Sequence, residues 1–169
     1  MKIEQGQVRE FMVKADQEIP DRPTMPSPKI RELRVRLIAE ELLELCEAFD
    51  IDISIKRVKN VPQANHCAVE MPIATTTDTD LVEAYDALLD LLVVVIGSGI
   101  ALGMDLTPGW EEVHRSNMSK FIDGYLREDG KWIKGPSYIP AQLTGIIQSQ
   151  TDAAKLKDRQ LLLENMPPK

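Results

Sequence analysis

The chain has 169 residues, with 20 Lys and Arg against 27 Asp and Glu for a formal charge of −7, and is 43% hydrophobic and 28% charged. At roughly 100–200 residues per domain this length suits one globular core that needs neither disulfides nor a structural metal, and the apolar content argues against global disorder. The acidic balance argues against a nucleic-acid polymer as partner, since that demands a surplus of Lys and Arg on some face, but it admits a small polyphosphate bridged by cations.

A first helix is expected over Gln5 to Lys14, and the PDRPTMPSP run that follows, with Pro20, Pro23, Pro26 and Pro28, forbids a continuous helix and reads as an extended connector. From Lys29 to Asp50 the chain is rich in Leu, Glu, Arg and Ala, and Ile38, Leu42, Leu45 and Phe49 recur at three- and four-residue steps, which predicts an amphipathic helix. Residues 51–79 break that pattern and read as an inserted loop or a short β excursion, with ISIKRV as its candidate. Asp78 or Thr79 is placed to cap a third helix running to about Leu102, apolar nearly all round from Leu88 onward. Its longest uncharged stretch, Leu91 to Met104, falls short of the ~20 residues of a membrane span, so a buried helix and no membrane partner are expected. Thr107-Pro108 then starts a fourth helix to about Lys120, with Thr as cap and Pro at the first helical position. Beyond it FIDGYLREDGKWIKGPSY is polar and irregular, with a hairpin turn expected at Asp129-Gly130, and a solvated helix follows over Ala141 to Glu164.

Cys46 and Cys67 lack CxxC spacing and make neither a disulfide framework nor a zinc site, which fits a reducing, cytoplasmic setting. The opening MKIEQGQVREF places charges where an export signal needs an apolar core, so none is expected.

The chemistry-bearing residues are acidic. On the second helix Glu40, Glu44 and Glu47 share one stripe at ~100° per residue with Glu41 beside it, and on the third Glu83, Asp86 and Asp90 share another. Asp90 lies among Leu88, Leu89, Leu91, Leu92 and Val93 and is expected to be buried, with no Lys or Arg between Asp78 and Asp105 to compensate it. If the two helices pack antiparallel, the carboxylates meet across one groove, and oxygen-only ligands select a hard divalent cation, Mg²⁺ with Mn²⁺ as its substitute. Taken alone, EELLE reads equally as a solvated helix surface; the second stripe, in an apolar helix, favours a metal site.

EELLE, then EAYDALLDLL, then EVHRSNMSK resemble the MazG-like, all-α nucleoside triphosphate pyrophosphohydrolases, relatives of phosphoribosyl-ATP pyrophosphohydrolase and dimeric dUTPases. DRPTMPSP, the LGMD turn and DGKWIKGPSY with Pro140 extend the likeness from about Val8 to Ile147, the insertion apart. The resemblance implies one domain over residues 1–169: an all-α, four-helix MazG-like core, an insertion at about 51–79, and a partly irregular extension at about 121–169. It implies Mg²⁺-dependent cleavage of a (d)NTP to (d)NMP and pyrophosphate, with dGTP, GTP or dUTP as candidates, serving nucleotide-pool control in a homodimer or homotetramer. Glu41 and Glu44 match the family's ExxE, with Glu40 the acid before it, and Glu41 is the candidate base. In the second motif Asp86 and Asp90 are the favoured ligands, with Glu83 in reserve: Glu83 and Asp86 have the literal spacing, but Asp90 directly precedes the Leu-Leu run. Arg115, Asn117 and Lys120, with Lys131 and Lys134 beyond, would contact phosphate and sugar; for Lys131 and Lys134 a favourable helix-end charge is an equal reading.

Trp110, Trp132 or Tyr138 would stack on a base or serve as a packing anchor. DLLVVVIGSGIALG imitates a dinucleotide-binding loop, but Pro108 interrupts the helix such a fingerprint must open, and the glycines read instead as close helix packing. Glu111 and His114 have di-iron ExxH spacing without the second copy that such sites require. The rival of another class is a non-catalytic helical protein that binds metal or a partner through the same acids.

Overall fold

A computed structural model describes residues 1–51, 54–57, 67–70 and 79–165. The order is α1 (Lys2–Lys14), α2 (Pro28–Ala48), β1 (Ser54–Arg57), β2 (Cys67–Glu70), α3 (Leu81–Ala101), α4 (Leu106–Met118), a 3₁₀ turn (Ser119–Phe121), β3 (Tyr125–Leu126), β4 (Trp132–Ile133) and α5 (Leu143–Glu164). The fold is all-α, as the sequence implies. The chain divides into two compact units, Ser27–Val95 and Met1–Pro26 with Ile96–Lys169.

In the Ser27–Val95 unit, Pro28 occupies the first turn of α2, where no intrahelical N–H is needed, and the Ser27 hydroxyl accepts from the Ile30 N–H at 3.4 Å. The helix closes where Asp50 turns left-handed at φ 52°, its N–H reaching the Glu47 carbonyl and that of Ile51 the Cys46 carbonyl. Cys46 is a free, half-buried thiol. The expected β excursion is β1, paired antiparallel with β2 from Ser54 opposite Glu70 to Arg57 opposite Cys67. The rest of the inserted segment, His66 included, lies outside the described residues.

Helix α3 starts one or two residues later than the caps expected at Thr79 or Asp78 imply. Of the two expected caps Asp78 lies outside the described residues, and it is the Asp80 carboxylate, not Thr79, that accepts from the Val82 N–H at 2.7 Å and the Glu83 N–H at 3.4 Å. By length and composition α3 is apolar enough to cross a bilayer, with mean hydropathy 1.8 over its best 18 residues, but Ala84 and Ala87 in one unit and Ile96 and Ile100 in the other are buried. The expectation of a buried helix fails in its first two thirds. Leu81, Tyr85, Leu88, Leu92 and Val95 form one exposed stripe, with Leu88 at 47% and Leu92 at 46% exposure, because a single chain brings too few helices to cover every face.

In the other unit, Val8 and Met12 bury one face of α1, and the Gln5 side chain both donates to the Met104 carbonyl at 2.7 Å and accepts from the Leu106 N–H at 3.0 Å. That one amide fastens α1 to the turn after α3. Gly103 makes the turn at φ +68°, and a Cβ there would collide with the Arg22 carbonyl. Gly99 packs against the Leu106 side chain, the close approach expected of these glycines. Helix α4 is capped by Asp105, whose carboxylate accepts from the Thr107 N–H at 2.9 Å; the cap expected at Thr107 is thus two residues earlier. Pro108 accordingly stands third in the helix and not first, still within the opening turn where its missing N–H costs nothing. Strands β3 and β4 pair across the Asp129-Gly130 turn, as expected. Helix α5 has no buried residue and is held by Gln150, which bonds both the N–H and the carbonyl of Asp105, and by Asp158, 2.7 Å from Arg22.

Candidate active site

The acidic stripes of α2 and α3 face one cleft of about 290 Å³, lined by Glu44, Glu47, Ala48, Glu83, Asp86 and Ala87. The end of α2 meets the start of α3 there, and Glu41, one turn back, stands in the fields of Asp86 and Asp90, one turn on. The two helices are therefore antiparallel, as the groove requires. Small Ala48, Ala84 and Ala87 fill the buried positions, which keeps the acids near one another.

Glu40, Glu44 and Glu47 are exposed, whereas Glu41 falls on the inward face with Leu37, Leu45 and Ala48 and is half-buried. Desolvation first, then the charges of Glu44, Asp90, Glu40 and Asp86, raise the Glu41 pKa above the ordinary carboxylate value. Asp90 is exposed, which corrects the expectation of burial: Glu83, Asp86 and Asp90 share one side of α3, which opens to solvent along the cleft, and the leucines around Asp90 in sequence point elsewhere.

Among the described residues no three His, Cys, Asp or Glu side chains are gathered into a ready-made metal cage. The donor chemistry nonetheless fits a hard divalent cation. Every polar side chain lining the cleft is a carboxylate, and no Lys or Arg occurs from Leu37 to Ile51 or from Thr79 to His114, so the oxygens there are of the kind a hard cation takes.

The proposed phosphate contacts belong to the other unit. Arg115 is engaged with Glu112 through two 2.7 Å bonds and donates to the Pro140 carbonyl at 3.2 Å, which holds Glu112 down to a pKa of about 2 with help from the Gln142 N–H. Lys120 Nζ donates to Asn117 Oδ1 at 2.7 Å, and Lys131 is exposed. Trp132 is a packing anchor rather than a stacking platform: its Nε1 donates to the Lys120 carbonyl at 2.8 Å and its ring lies 4.7 Å from that of Phe121. Trp110 is exposed, as are Glu111 and His114 of the ExxH spacing.

With this geometry, the family model of phosphoribosyl-ATP pyrophosphohydrolase matches residues 8–117. The chain belongs to that family. No curated protein matches it. The family is one of MazG-like all-α pyrophosphohydrolases, so the activity class is hydrolysis of a phosphorus anhydride, and a nucleotide substrate agrees with it. The match takes in both acidic helices and stops at Asn117, so Lys120, Lys131 and Lys134 lie beyond it. Sequence reasoning placed Glu47 on the acidic stripe without assigning it to the site; its signal was the i, i+3 step from Glu44, and it lines the cleft.

Proposed function

We propose that this family member hydrolyses a (deoxy)nucleoside triphosphate to the monophosphate and pyrophosphate, with Mg²⁺, or Mn²⁺ in its place, at the cleft between α2 and α3. The observation that carries the reading is Glu41, one half-buried carboxylate with a raised pKa set among four others. Glu40, Glu44, Asp86 and Asp90 would hold the cation together with Glu41, and Glu83, which lines the cleft beside Asp86, stands as a further ligand. The cation, when bound, would neutralise the polyphosphate and acidify water.

Glu41 takes the proton of the attacking water, for which its strengthened affinity for a proton suits it. Oxygen adds at the α phosphorus, the bond to the bridging oxygen of the β phosphate breaks, and pyrophosphate leaves with the bonding pair. Asn117, Lys120, Lys131 and Lys134 contact phosphate and sugar, with Arg115 in support. The exposed apolar stripe of α3 supports a homodimer or homotetramer as the working form.

Incubation of the full chain with Mg²⁺ and each common and non-canonical (d)NTP, with chromatographic resolution of products, tests the proposal. Monophosphate with equimolar pyrophosphate is expected, dGTP, GTP or dUTP leading the ranking. Diphosphate with phosphate, or no turnover with either cation, would contradict it and favour a metal- or partner-binding role for the acids.

A further inference from the structure

One face of α4 fastens the segment that returns from the β3–β4 hairpin. Arg115, Ser116 and Ser119 follow Glu112 at helical spacing and so share its face, which continues into the 3₁₀ turn. Opposite them the chain runs the other way. Ser119 Oγ accepts from the Ile139 N–H at 2.9 Å, Ser116 Oγ donates to the Tyr138 hydroxyl at 3.3 Å, Arg115 donates to the Pro140 carbonyl at 3.2 Å, and Glu112 Oε1 accepts from the Gln142 N–H at 2.7 Å. Glu112 and Arg115 are themselves joined by two 2.7 Å bonds. Ser116 and Ser119 are buried, whereas the side chains of Ile139 and Pro140 are exposed, so hydrogen bonds carry this attachment and apolar burial does not.

The fastened segment closes the hairpin. The chain leaves the 3₁₀ turn at Lys120, whose carbonyl accepts from the Gly124 N–H and from Trp132 Nε1, and it returns at Ser137, whose N–H donates to the Asp123 carboxylate at 3.0 Å. Lys131 and Lys134 lie between these two closures. Lys134 Nζ stands 4.8 Å from the centroid of the Tyr138 ring, whose hydroxyl is one of the four attachments. Each attachment is directional and reaches one atom, so together they fix the register of the segment along α4, where an apolar contact would let it slide. Glu112 has the widest reach of the four: it is half-buried, and it ties Arg115 to the residue that precedes α5.

We infer that Glu112 and Arg115 are positioning residues for the substrate: their ion pair fixes residues 138–142 along α4 and so holds the hairpin with Lys131 and Lys134 in its binding conformation before the nucleotide arrives. A hairpin ordered in advance spares binding the entropy of ordering it. The inference rests on the proposed function in taking those lysines as substrate contacts. It goes beyond it in giving Glu112 a role and in moving Arg115 from the phosphate to the frame behind it.

Calorimetric titration of the α,β-methylene analogues of GTP, dGTP and dUTP into the full chain with Mg²⁺ tests this, beside hydrogen exchange of the unliganded chain read by mass spectrometry. Glu112→Ala and Arg115→Leu each raise exchange over residues 123–142, leave α1 to α3 as in the wild type, and weaken analogue binding about tenfold. Glu112→Gln keeps an acceptor for the Gln142 N–H and falls between the wild type and Glu112→Ala in both readouts. Lys155→Gln, a control on α5, changes neither. In turnover the loss appears in KM, with kcat kept within about twofold. Raised exchange at wild-type affinity and KM makes the pair a structural brace and overturns the positioning role. Wild-type exchange in both variants overturns the attachment, and a fall in kcat at unchanged KM puts Arg115 on the reacting phosphate, against the inference. A wild type that binds none of the analogues overturns it too. Glu112-dependent analogue binding in a chain that hydrolyses no nucleotide would sink the proposed function and leave this inference standing.

Discussion

Glu41 differs from the carboxylates around it in its place on α2. It shares the inward face with Leu37, Leu45 and Ala48, so it is partly desolvated and surrounded by like charge, and both effects strengthen its hold on a proton. Glu41→Gln preserves shape and hydrogen bonding but removes the base, and turnover is expected to fall about 10²–10⁴-fold with Mg²⁺ binding largely kept. Steady-state rates and calorimetry of Mg²⁺ binding check it, and wild-type rates would withdraw the assignment. Glu112 has the opposite shift. Its partners Arg115 and the Gln142 N–H favour the ionised form, so the folded pKa drops from 4.5 to about 2, and the stability this confers is full above the unfolded value and is lost as pH falls toward the folded one. Glu112→Gln should therefore be less stable than the wild type near neutrality, with the difference closing between pH 4.5 and about 2 in urea titrations. A gap independent of pH would contradict the pairing.

The helices themselves are legible in the sequence because apolar spacing and proline positions mark α2, α3 and α4 within a few residues. Their caps are less so. Asp105 and Thr107 are both good cap residues, and the choice falls to the chain's entry from the Gly103 turn, which aims the Asp105 carboxylate at the Thr107 N–H. The buried Thr107 hydroxyl oxygen has no hydrogen-bond partner among the described residues. Asp105→Ala is expected to cost about 1 kcal/mol, whereas Thr107→Val is expected to be neutral or stabilising, by denaturant unfolding. The reverse order would restore Thr107 as the cap. Gly103→Ala adds left-handed backbone strain to a collision with the Arg22 carbonyl and is expected to cost about 2–4 kcal/mol. The acidic stripes were readable from spacing alone, but the exposure of Asp90 was not: neighbours in sequence are not neighbours on a helix face. The fastening of residues 138–142 along α4 depends on the β3–β4 hairpin and the loop after it, whose closure no periodicity announces.

At the scale of the whole molecule, α3 carries acids on one side and an exposed row of Leu81, Tyr85, Leu88, Leu92 and Val95 on another. Apolar surface in a continuous row is covered in most soluble proteins, and in the proposed assembly a second copy of the chain would supply a matching row. Light scattering on the wild type should give a dimer or tetramer at micromolar concentration, and Leu88→Lys with Leu92→Lys should give a monomer; a monomeric wild type would contradict that assembly. The proposed reaction is narrower than the assembly: an anhydride bond next to the α phosphate is cut at the α2–α3 cleft with Glu41 as base. Phosphorus NMR of a (d)NTP with Mg²⁺, followed in parallel for the wild type and Glu41→Gln, tests it most directly. Monophosphate and pyrophosphate signals are expected to grow in equal amounts with the wild type, against a nearly static triphosphate spectrum with the variant. Diphosphate and phosphate signals, or equal rates in the two proteins, would contradict it.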